Sequence, residues 1–144
     1  MSLSDVERHP DWSRRLAEIA TVHQSAPPPE WGKSDCLMVV GEAILAVAKE
    51  NPFEKFRHRY STEKAAAKLM LKHGCSNVQE VFEVFLGLTE SSRLQARRGD
   101  VGVVMIQDQP HAGYVTNDGL SVRQPFGMVT FPLTDMVKAY RIGK

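Results

Sequence analysis

Apolar positions in the first half of the chain recur with helical spacing. Between residues 10 and 24, Trp12, Leu16, Ile19 and Ala20 fall on one face of a helix. Pro10 suits the first turn of that helix. The segment "SAPPPEWGK" then carries consecutive prolines, which forbid helix and predict a loop. From residue 36 to 49, within "CLMVVGEAILAVAKE", the chain is apolar on most sides, which predicts a central, buried helix. Ser34 or Asp35 can cap its N-terminus. "NPFEKFRHRY" reads as an irregular connection. Residues 62 to 73 predict a third helix closed by Gly74, and Ser76 with Gln79 forms a capping-box pattern opening a fourth, to about residue 86.

The period then changes. "GDVGVVMI" (99–106) is β-rich, and "HAGYVTNDGLSV" contains two extended runs around an Asn-Asp-Gly turn signal. "GMVTF" and "VKAYRI" are further strands, with Pro125, Gly127 and Pro132 bounding short edge strands. Helices first and an antiparallel sheet second predict an α+β fold. The 144 residues suit one domain, spanning 1–144, with no repeat, linker or low-complexity segment.

Composition narrows the partners. A formal net charge of +1 gives no global field toward nucleic acid or an anionic membrane. No apolar run approaches the roughly 20 residues of a membrane span. "MSLSDVERHPDWSRR" is polar, so no signal peptide is expected and synthesis in the cytosol is. The two cysteines, Cys36 and Cys75, form no CxxC or Cys/His cluster, so neither zinc nor any other cofactor is expected.

Candidate chemistry centres on Cys36. A helix N-terminus favours a thiolate, and its free N–H groups can hold an oxyanion. A free cysteine in an apolar run is ordinarily a small core residue, but here a histidine follows far downstream at the start of a hairpin strand. His111 could serve as base. A turn at Asn117-Asp118 pairs Thr116 with Gly119 and sets Gln124 beside His111, where it could orient the imidazole; Arg123 and Asn117 are weaker candidates for that role if the register slips by one. Trp31 and Gly32 could complete an oxyanion wall, with Asp35 a cap first and a substrate contact second. Cys75 reads as an incidental thiol. The Arg57-His58-Arg59 segment either binds a carboxylate or is a solvated loop with Tyr60 packed inward.

"WGKSDC" leading into a buried helix, then "ARRGDVGVV", then "HAGYVTNDG", resembles the NlpC-type branch of papain-like cysteine peptidases. Nearly the whole chain, including "FRHRYST", is also similar to a short phage- and prophage-associated group of largely unassigned function. The resemblance implies a papain-like fold, with Cys36 as nucleophile, His111 as base and Gln124 as third member. It implies a tail-associated hydrolase, a virion component acting on the peptide stems of peptidoglycan, with tail-tip or hub proteins as partners. Leu37-Met38 stands where the family has Ser-Gly. That departure favours a second expectation: the same fold kept as a non-catalytic part of a tail tip or baseplate hub.

Overall fold

The computed structural model describes residues 2–144. Four helices come first: α1 (Trp12–Gln24), α2 (Cys36–Ala48), α3 (Glu63–Lys72) and the short α4 (Val78–Glu80). A six-stranded antiparallel sheet follows, made of β1 (Glu90–Ser91), β2 (Val101–Ile106), β3 (Gln109–Thr116), β4 (Gly119–Gln124), β5 (Gly127–Phe131) and β6 (Met136–Tyr140). Its spatial order is β1-β6-β2-β3-β4-β5. The fold is therefore α+β, as the change of period predicts.

α2 is the central helix. Met38, Val40, Ile44 and Val47 are all essentially inaccessible and pack with Val101, Val103, Ala112 and Tyr114 of the sheet. Each such aliphatic side chain contributes about 1.5–3 kcal/mol by leaving water. The opposite sheet face carries a second cluster, with Val104, Val115, Leu120, Val122 and Met136. Both faces of the sheet are thus covered, which makes β2 and β4 almost continuously buried.

Two local expectations need correction. The cap of α4 is Asn77, whose side chain accepts from the Glu80 N–H at 2.9 Å; Ser76 instead binds the Glu80 carboxylate. The segment after α4 is also not α-helical. Val81–Phe85 is a π-helical turn, closed by the Leu86 N–H donating to Val81 O at 3.0 Å.

The Gly99-Asp100 pair has a structural task. Arg8 Nη2 and the Ile142 N–H both reach Asp100 Oδ1 at 3.0 Å, and the Arg97 N–H reaches Oδ2 at 2.9 Å. Arg8 also donates to Ile142 O and Arg98 O, and its guanidinium lies 4.4 Å from the Trp12 ring centroid. Burial lowers the Arg8 pKa to about 10, which leaves it charged at neutral pH. This knot ties the N-terminal segment, the start of β2 and the C-terminal segment together. Gly99 is required there, with φ +91° and a Cβ position 2.9 Å from Val47.

Candidate functional site

The site begins with Asp35, which caps α2. Its Oδ1 accepts from the Leu37 and Met38 N–H groups, satisfying two otherwise orphan helix donors. Its Oδ2 accepts from the Gly32 N–H at 2.7 Å and from the Tyr60 hydroxyl at 2.9 Å. One buried carboxylate therefore fixes the helix start, the Trp31-Gly32 turn and the Tyr60 loop. Gly32 has φ +78°, and a Cβ there would sit 2.1 Å from Tyr60 O. The Gly32 N–H faces Asp35, so it is already engaged and does not point at the thiol.

The "FRHRY" segment holds the same loop from outside. The His58 N–H donates to Gly32 O at 2.9 Å, with His58 itself at φ +65°. Arg57 donates to Lys33 O at 3.0 Å and pairs with Glu54 and Glu42. From the sheet, Arg123 is buried and donates to His23 O and Pro27 O. Tyr60 packs inward, and Arg57 is spent on intramolecular bonds.

Cys36 occupies the first turn of α2 and is half-buried. Burial pushes its thiol up to about 12, and the neighbouring Asp35 charge pushes in the same direction. The backbone N–H groups of Ala112, Leu37 and Cys36 itself oppose the rise without cancelling it. Both causes favour the thiol over the thiolate. The helix-terminal field that would favour thiolate is offset by the carboxylate capping that same terminus.

β3 sets which residue meets the sulfur. Val103 pairs with Ala112, and Val104 with His111. Val103, Ala112 and Tyr114 belong to the cluster around α2, whereas Val104 and Val115 belong to the opposite cluster. Successive strand residues alternate faces, and directly paired residues share one. Ala112 therefore faces α2, and His111 starts from the other side. A Cβ on Gly113, two residues from His111, would meet Leu120 and Val122 of that other cluster. His111 is half-buried and lines the groove with Gln109 and Pro110. Among the described residues, no hydrogen bond joins it to Cys36. Burial lowers its pKa, and the Glu63 charge partly opposes this.

Thr116 pairs with Gly119, the register expected from the turn at Asn117-Asp118. Gln124 lies on the His111 face, but its amide donates to Arg123 O at 3.1 Å, not to His111. Trp31, Asp35, Cys36 and His111 do share one groove, of about 310 Å³, with Tyr60 and residues of α3 and α4. Gln124 and Gly32 are not among its lining residues. Cys75 is buried at the groove's far wall, its sulfur 3.6 Å from His73 O, and both cysteines are free. The described residues contain no cluster of three or more His, Cys, Asp or Glu able to hold a metal. No helix among them is long and apolar enough to cross a membrane.

Two determinants lay outside the sequence expectations. Ala112 is the residue opposite the thiol, and Tyr60 is the Asp35 partner. The "RYST" pattern signals the second; nothing local signals the first.

Fold and site together define an α+β domain that sets a capped helix-terminal thiol against an antiparallel sheet, at the edge of an apolar groove. The chain belongs to the DUF6950 family, described as a domain of unknown function, whose family model matches residues 7–142. No curated protein and no solved structure matches it.

Proposed function

We propose that this is a catalytically silent domain of papain-like, NlpC-type ancestry, serving as a building block of a phage tail tip or baseplate hub. The observation that carries the silent reading is the face alternation of β3, which sets Ala112 and not His111 toward Cys36. The protonated thiol and the engaged Gly32 N–H support it. An acyl transfer needs an activated nucleophile, a base within hydrogen-bond reach and free oxyanion donors; here the thiol pKa is raised, no hydrogen bond joins it to His111 among the described residues, and the Gly32 N–H is taken by Asp35. The tail assignment rests on the motif resemblance of "WGKSDC", "RRGDVGVV" and "HAGYVTNDG". On this reading the protein resides in the virion tail, and its partners are neighbouring tail proteins.

The alternative is a peptidase or amidase acting on peptidoglycan stem peptides. One observation favours it: Cys36 and His111 line the same groove. Purified protein incubated with stem peptides distinguishes the two. The silent reading expects no amine release above that of Cys36→Ala. Release that falls by orders of magnitude in both Cys36→Ala and His111→Ala would establish the enzyme instead.

A further inference from the structure

α3 covers the groove without closing it. Ala66, Leu69 and Met70 line it from the helix side, yet no residue of α3 is buried. An amphipathic helix at a finished core would bury that face. The space is held open by three rings. Phe56 and Phe85 each lie 5.2 Å from the His73 ring and 5.8 Å from each other. Mutual edge and tilted contacts fix all three, so none is free to fall into the gap.

The π-helical turn adds a second indication. Val81 and Phe85, its first and last residues, both line the groove. Such turns occur mostly as single insertions, frequently at functional sites. At about 310 Å³, the space is roughly twice the ~150 Å³ at which an apolar engineered cavity stays dry and takes benzene. Met38 and Met70 line it among aromatic rings, and methionine adapts its shape and makes favourable sulfur–aromatic contacts.

Charge then narrows the class of ligand. No Lys or Arg lines the groove, whereas Asp35 and Glu63 do. Lys55 lies over the Phe56 and Phe85 rings at 5.3 and 5.4 Å but is not part of the lining. A carboxylate or phosphate entering here would lose water and meet no Lys or Arg, only the His73 and His111 rings.

We propose that the groove beneath α3 is a binding site for an uncharged, apolar small molecule about the size of a fused pair of aromatic rings. The site is independent of turnover at Cys36, so failure of either reading leaves the other standing.

The test uses the full chain with methyl-¹³C-labelled methionine, titrated with 1-naphthylmethanol and, separately, 1-naphthoate. The neutral alcohol is expected to saturate at one per chain and shift the Met38 and Met70 methyl signals. Met105, at the exposed hairpin end of β2, and Met136, in the opposite cluster, should stay in place. Naphthoate should bind at least about tenfold more weakly, a difference of about 1.4 kcal/mol. Ala66→Trp should fill the groove and abolish the shifts. No saturable shift at Met38 and Met70, or equal binding of alcohol and carboxylate, would overturn the proposal. So would an Ala66→Trp protein that still folds and binds like the wild type.

Discussion

Asp35 and Asp100 are both buried aspartates in short motifs that look like chemistry, yet they do different work. Asp100 is met by the Arg8 guanidinium at 3.0 Å, by that of Arg97 at 3.6 Å and by two backbone N–H groups. Asp35 is met by neutral donors alone: three backbone N–H groups and the Tyr60 hydroxyl. It has no ion pair among the described residues, and its charge adds to the burial that raises the pKa of both Cys36 and Tyr60. One acidic residue closes the chain ends onto the sheet. The other builds a loop and adds its charge to the burial that raises the neighbouring thiol.

The contrast predicts an ordered set of effects. Asp100→Ala strands the buried Arg8 guanidinium and should cost about 3–5 kcal/mol, enough to abolish a cooperative urea transition if the domain is marginal. Asp35→Ala removes the α2 cap and the shared acceptor of Gly32 and Tyr60. It should cost about 2 kcal/mol in the same urea measurement. Tyr60→Phe removes one of those bonds and should cost about 1 kcal/mol. A Tyr60→Phe loss matching that of Asp100→Ala would erase the distinction between the two corners.

Much of the architecture is local and was legible. Helical spacing around Leu16 and through α2 and the Asn117-Asp118 turn fix element order and hairpin register from neighbours in the chain. The π-helical turn at Val81–Phe85 and the two-residue β1 were not legible. β1 exists through its pairing with β6, some fifty residues away, and the π turn has no periodic signature of its own. The side of the sheet from which His111 starts was hidden for a different reason. A half-solvated sheet alternates apolar and polar residues, which reveals its inward face. Here Val103 and Val104 are both buried, as is all of β4 from Gly119 to Arg123. The register was readable, but the choice between two covered faces was not. Gln124 falls on the expected face and still finds a different partner, since its neighbour's carbonyl lies within reach.

At the Asp35–Cys36 corner a raised thiol stands without a hydrogen-bonded base among the described residues. The pH profile of iodoacetamide alkylation at Cys36, mapped by peptide mass in the wild type and in His111→Ala, decides whether that thiol is quiet. A thiol raised from 9.0 to about 12 is a minute fraction thiolate at neutral pH. A quiet thiol labels slowly, with a rate that climbs about tenfold per pH unit through pH 9 without a plateau, identically in the two proteins. Fast labelling that has levelled off by pH 7 and is lost in His111→Ala would contradict it, because only a working Cys-His pair behaves that way.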